Sequence, residues 1–132
     1  MVLLKNDHNV LPFAAGKRMA VIGPHANATD VLIGNYFGQI CPDSMTSFDC
    51  VLTPFAALAT INNAAGGTTV SALGCDVNST DASGIAPARQ LASSVDYVVL
   101  MLGLSTSIER EGHDRHTTGL PGQQLALVCN QS

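Results

Sequence analysis

The chain has 132 residues, of which 46% are apolar and 12% charged, with a formal net charge of -4. That length and apolar content suit one folded domain with a core and exclude a disordered chain. Only 6 Lys and Arg residues leave no basic patch for phosphates, which excludes a nucleic-acid partner, and 5% aromatics without tryptophan make a poor stacking platform for sugars. No apolar run approaches the roughly 20 residues of a membrane-spanning helix, so no membrane partner is expected. Met1 to Leu4 is followed at once by Lys5, too short an apolar stretch for the core of a signal peptide.

In chain order, Met1 to Phe13 reads as a short apolar element and a polar turn ending at Leu11-Pro12. Met19 to Ile22 is a buried-strand candidate stopped by Gly23-Pro24. Gly34 and Gly38 break anything long in the next segment, and Gln39 to Val51, with Pro42 and two cysteines, is a loop. Thr53-Pro54 supplies a hydroxyl cap with proline at the first helical position. Phe55, Leu58, Ala59 and Ile61 then recur at helical spacing until Gly66-Gly67. Thr68 to Leu73 is a second strand, Asp76 to Ser83 a polar loop, and Ile85 to Val95 a helix with Pro87 in its first turn. "DYVVLMLGL" is the strongest strand pattern, continuously apolar and expected to be buried on both faces. A last helix is expected to start at Leu120-Pro121-Gly122. Strands alternating with helices indicate an α/β three-layer sandwich with a mostly parallel sheet. Only three strands are visible where such sheets have about five, so the sandwich reads as incomplete.

Four cysteines, Cys41, Cys50, Cys75 and Cys129, are too few for a disulfide scaffold and form no zinc signature. Two readings stand: a Cys41–Cys50 bridge across a short loop, or four free thiols. Sequons begin at Asn27, Asn78 and Asn130. Together with a bridge they would lean towards a secreted parent.

After the most apolar strand comes "SIEREGHDR", which gathers Glu109, Arg110, Glu111, His113, Asp114 and Arg115 in a chain otherwise poor in charge. Ligands of open α/β sheets bind at loops leaving the carboxyl ends of strands, so this position suits an active-site edge. It equally suits a solvated loop. The loop after the first strand has Gly23-Pro24 in place of a G-x-G-x-x-G turn, which excludes a dinucleotide site and, with it, a nucleotide cofactor. His113 and His116 lack further metal ligands and read as surface residues, so neither metal nor cofactor is expected. Gly103-Leu104-Ser105 lacks the second glycine of a nucleophile elbow, leaving Ser107 without support as a nucleophile.

Several segments, taken in order, resemble a known family. "VLLKNDHNVLPF" is similar to V-L-L-K-N-x-x-x-x-L-P-L, and "MAVIGPHA" to A-V-I-G-P-N-A, with His25 where asparagine is usual. "IGNYFG" followed by a cysteine and "TPFAAL" resembles G-N-Y-x-G and T-P-L-x-x-L. "VVLMLGLSTSIEREGHDRHTTGLPGQQLALV" resembles V-V-L-V-x-G-L-x-x-S-I-E-x-E-x-x-D-R-x-x-L-x-L-P-G-x-Q-x-x-L-V. The matches run from Val2 to Val128 and resemble glycoside hydrolase family 3, especially its β-xylosidase and β-glucosidase members.

The resemblance implies a retaining glycosidase with two carboxylates. The nucleophilic aspartate lies on a preceding barrel domain, and the acid/base glutamate reaches across from a second, α/β sandwich domain. Residues 1–132 correspond to the N-terminal part of that second domain. The motif maps onto Glu111-Gly112-His113-Asp114-Arg115, which makes Glu111 the expected acid/base, with Glu109 as the alternative. Gly112 would let the loop turn tightly beside a sugar, and Asp114 and Arg115 would form an ion pair that pins it. The substrate of the parent would be an oligosaccharide or aryl glycoside, with xylosides favoured, and the partner of this chain the missing barrel. Alone it is expected to be inactive and, with apolar sheet edges uncovered, to self-associate. The alternative is a stand-alone carbohydrate-binding or interaction module that has lost catalysis.

Overall fold

The computed structural model describes residues 1–34 and 36–129. Its centre is a parallel sheet of β1 (Arg18–Ile22), β2 (Thr68–Ala72) and β3 (Tyr97–Leu100) in the order β2-β1-β3. The register aligns Ala20 with Val70 and Val98, and Met19 with Thr69 and Tyr97. Aligned residues of a parallel pair point to the same face, so these rows define two faces of the sheet. On one face Ala20 and Ile22 pack against Ile85 and Ala88 of α2 (Ile85–Ala92) and Leu127 of α3 (Gln124–Cys129). On the other face lies α1 (Pro54–Ala64), tied to Thr69 by a 3.0 Å hydrogen bond donated by Asn62. Phe13 stacks on Tyr97 of that same face at a ring-centroid distance of 4.6 Å. Helices on both faces make the three layers read from the alternating pattern.

The sequence-based expectation for β3 needs correction. Its four residues are half-buried, whereas Met19 to Ile22 of β1 are between 0% and 3% exposed. Position decides this: β1 has a neighbour on each side, while β3 pairs with β1 alone among the described residues. Apolar composition reports the capacity to be buried, and the strand order determines which strand receives cover.

α1 starts where the proline and hydroxyl placed it. Thr53 Oγ1 accepts a 3.0 Å hydrogen bond from Ala56 N, satisfying one of the helix's open donors. The face it buries differs from the apolar spacing, since Ile61 is 69% exposed while Asn62 is 3% exposed. Asn62 is buried because its amide is fully used. Oδ1 accepts from Gly16 N at 2.9 Å and Lys17 N at 3.2 Å, and Nδ2 donates to Lys17 O at 2.8 Å. One side chain therefore anchors the helix to the entry of β1. α2 ends at Ala92 rather than Val95, where the Ser93 and Ser94 hydroxyls donate back to Gln90 O and Leu91 O at 2.8 and 2.7 Å. Such local bonds compete with helix continuation. α3 begins at Gln124, not at Pro121, because Gly122 has φ +58 and cannot belong to a right-handed helix. The N-terminal segment forms a 3-10 turn at Asp7–Asn9, and a second such turn, Asp30–Leu32, follows β1.

Cys41 and Cys50 form a disulfide across the expected loop, while Cys75 is buried and free. Of the two cysteine readings, the bridge is the one formed. Burial, helped by Asp76, pushes the Cys75 thiol up, which keeps it protonated and unreactive. The third sequon, Asn130-Gln131-Ser132, and Asn35 of "IGNYFG" lie outside the described residues. No helix among the described residues is long and apolar enough to cross a membrane.

At the start of β1, Arg18 Nη2 and Asp96 Oδ1 form a 2.8 Å ion pair, and Arg18 N donates to Asp96 Oδ2 at 2.9 Å. These hydrogen bonds to the charged carboxylate, first the Arg18 side chain's, hold Asp96 down at about 2 against the ordinary 3.8. A depressed folded-state value means the contribution is fully present above about 4 and is lost as pH falls through about 2. Denaturant titrations should therefore show the wild type losing more stability between these limits than Asp96→Asn. Parallel acid profiles for the two proteins would refute the assignment. The pair is largely exposed, so its effect at neutral pH is small.

Candidate active-site loop

All three strands are parallel, so the loops that leave their carboxyl ends share one edge of the sheet. Two of them meet there. Met101 N donates to Ile22 O at 2.8 Å, Gly23 N to Ala72 O at 3.0 Å and His25 N to Met101 O at 3.2 Å, continuing the ladder past the strands. Gly23, at φ +128, sits against the Met101 carbonyl so closely that a Cβ would collide with it. Glycine is required there for the two strand ends to converge. His25 is 8% exposed, and its Nε2 has no hydrogen-bond partner.

The segment after β3 is then folded by short-range bonds. Ser105 O accepts from Ile108 N at 2.9 Å and Glu109 N at 3.2 Å, and Arg110 Nη1 donates to Thr106 O at 2.9 Å. Beyond it, Arg110 and His113 exchange two backbone hydrogen bonds, 3.0 and 2.9 Å long, which closes a tight turn with Glu111-Gly112 at its tip. Gly112 has φ +72 while Glu111 does not have a positive φ, the pattern of a type II turn with glycine at its third position.

Within this loop the two glutamates have different surroundings. Glu109 Oε2 and Arg115 Nε form a 2.9 Å ion pair, their side chains being 48% and 33% exposed. Glu111 is exposed at the turn, with neither hydrogen bond nor ion pair to the described residues. The pairing anticipated between Asp114 and Arg115 is therefore replaced by Glu109–Arg115. Adjacent residues in an extended segment project apart, whereas the turn at Gly112 folds Arg115 back alongside Glu109. Asp114 instead faces an open cleft of about 290 Å³. Leu104, Ser105, Glu109 and Arg110 line this cleft from the same loop, opposite Asp30 and Val31 from the loop after β1. His113 and His116 are exposed, as read from their spacing.

Two contributors escaped the sequence reading. Asp30 is a single carboxylate in a glycine-broken segment, which carries no sequence pattern. Gln124 falls within the last expected helix and is 0% exposed. Its Oε1 accepts from Gly103 N at 2.8 Å, while Nε2 donates to Gly103 O and Val77 O, each at 2.8 Å. It clamps the root of the charged loop to α3 and to the loop after β2. The L-P-G-x-Q pattern, in which Gln124 is the final residue, held the available signal.

Comparison with known proteins gives one answer. The sequence profile of the Glycosyl hydrolase family 3 C-terminal domain matches residues 1–131. The chain is 47% identical over 133 aligned positions to "Beta-D-xylosidase 3" of Arabidopsis thaliana, covering 97% of itself and 15% of that protein. It is 41% identical to "Beta-xylosidase/alpha-L-arabinofuranosidase 2" of Medicago sativa subsp. varia, covering 97% of itself and again 15% of the relative. Among solved structures, a GH3 exo-beta-xylosidase (XlnD) bound to a xylobiose aziridine activity-based probe superposes with TM-score 0.72 at 32% identity, over 92% of this chain and 14% of that one. The Bifidobacterium adolescentis GH3 beta-glucosidase superposes with TM-score 0.67 at 34% identity, over 98% of this chain and 18% of that one. The chain thus spans about one-seventh of the length of the curated relatives it matches. With an α/β sandwich of matching topology and a profile match over almost every residue, the chain belongs to glycoside hydrolase family 3, within its C-terminal domain.

Proposed function

We propose that this chain is part of a retaining β-glycosidase that removes terminal β-linked sugars, chiefly xylose, and that it supplies the acid/base through Glu111. The observation that carries the residue choice is the contrast between the two glutamates. A general acid must hold a proton and then deliver it to the leaving oxygen. Glu109 is already engaged by Arg115 in a 2.9 Å ion pair that ties it to the far side of the loop. Glu111 stands free at the tip of a tight turn, the part of the loop with the greatest reach across a domain boundary. Glu109 then shapes the sugar cleft and, through Arg115, holds the loop, a task shared with Gly112 and Asp114.

In the proposed reaction the Glu111 carboxyl protonates the glycosidic oxygen as the C1–O bond breaks. The aspartate of the barrel domain bonds to C1 at the same time. The Glu111 carboxylate next removes a proton from water, whose oxygen attacks C1 and releases the aspartate. Neither half of this sequence runs with one carboxylate, so the chain alone should be inactive. The names of the plant relatives favour xylosides as substrate. Ile61, Leu73 and Leu125, each more than half exposed, support self-association of the isolated chain.

The test is hydrolysis of aryl β-xyloside and aryl β-glucoside by this chain, alone and mixed with a separately expressed barrel domain of a family relative. Turnover only in the mixture, faster on the xyloside, is the expected result. Activity of the chain by itself would sink the two-domain reading. Sugar binding by the chain without turnover in any mixture would favour the non-catalytic module.

A further inference from the structure

We propose that Asn78 is an N-glycan acceptor, whose modified side chain stands on the loop between β2 and α2 beside the active-site edge. This inference is independent of the proposed catalytic role. The sequon Asn78-Ser79-Thr80 has no proline, and both Asn78 and Thr80 are exposed while Ser79 is half-buried. That alternation turns the acceptor amide and the hydroxyl two residues on towards solvent and the intervening residue inward. Neither the Asn78 nor the Thr80 side chain has a hydrogen-bond partner among the described residues.

The backbone beneath the sequon is held in place. Val77 O accepts from Gln124 Nε2 at 2.8 Å, and Ser79 Oγ accepts from Asp81 N at 3.0 Å. Gly122 lies so close below that a Cβ there would sit 3.0 Å from the Asn78 Cα. The loop is therefore fixed from the protein side, and a large polar group on Asn78 extends into water without displacing packed atoms. The Cys41–Cys50 disulfide is a separate observation pointing to the same compartment. Disulfides persist in the oxidising secretory route, where sequons are also modified.

Asn27, in the other described sequon, is the weaker acceptor. It is exposed, but Thr29 is half-buried, and the preceding Ala26 is 2% exposed. Asp30, next after Thr29, lines the cleft, so a glycan at Asn27 would crowd the sugar entrance. Asn78 does not line that cleft. In the transfer, Asn78 Nδ2 bonds to the anomeric carbon of a glycosyl diphosphate donor. The carbon–oxygen bond to the diphosphate breaks, the diphosphate leaves, and the amide gives up one proton.

The test is translation of the full chain, behind a cleavable secretory leader, into endoplasmic-reticulum microsomes. One glycan-sized gel step, removed by peptide N-glycosidase, should disappear in Asn78→Gln and in Thr80→Ala and remain in Asn27→Gln. Peptide mapping of the unsubstituted chain should find Asn78 converted to aspartate after enzymatic release, a readout that does not depend on any variant folding. An imported chain with an oxidised Cys41–Cys50 pair and an unmodified Asn78 peptide would overturn the proposal. So would a glycan found at Asn27 alone.

Discussion

Replacing Glu111 with glutamine in a complete parent enzyme should slow cleavage of xylosides with poor leaving groups by about 10²–10⁴-fold, the usual range for a general acid. Glutamine keeps the volume and removes the proton, so the loss falls on turnover rather than on binding. Substrates with activated aryl leaving groups need less protonation and should accumulate as glycosyl-enzyme. Azide, which attacks without a general base, should then restore part of the rate. Glu109→Gln provides the contrast, because it removes the acceptor of the Arg115 pair and should disturb the cleft more than the proton transfer. Unchanged turnover in Glu111→Gln, with a collapse in Glu109→Gln that azide rescues, would transfer the role to Glu109.

The largest stability effect is expected from Gln124→Leu. The volume is nearly conserved, yet three hydrogen bonds disappear from a side chain that is 0% exposed. Gly103 loses a partner at both its N–H and its carbonyl, and Val77 loses one at its carbonyl. Leaving such groups unpaired should cost roughly 2–4 kcal/mol, readable as a drop in denaturation midpoint. Gln123→Ala, one residue away and half-buried, should stay within about 0.5 kcal/mol. Equal midpoints for the two variants would show that the Gln124 clamp adds nothing. Because Gly103 begins the charged loop, Gln124→Leu in a complete parent should also lower turnover without touching substrate.

Much of the architecture follows from local chemistry. Pro54 with Thr53 sets the start of α1, because a hydroxyl acceptor and a fixed φ act within one helical turn. The β-branched run places β3, and Gly112 between Glu111 and Asp114 marks a tight turn in any context that brings Arg110 to His113. Such features need no distant partner. The family itself was also legible, since its motifs are ordered along the chain and do not depend on folding to be seen.

Tertiary structure decided the rest wherever a residue's role depends on something far away in sequence. Asn62 is polar and sits where the helical pattern favoured Ile61, but Gly16 and Lys17, more than forty residues earlier, make its burial favourable. Among the described residues, the strand richest in apolar residues pairs with one neighbour and is half-buried, while β1 holds the central position and buries Met19 to Ile22. In the charged loop, the resemblance implied a pair between the neighbours Asp114 and Arg115. Only the folded turn assigned Arg115 to Glu109 and left Glu111 free. Sequence determined which chemical groups the loop holds; the path of the backbone determined which of them neutralise one another, because an ion pair forms by distance in space and not by adjacency along the chain.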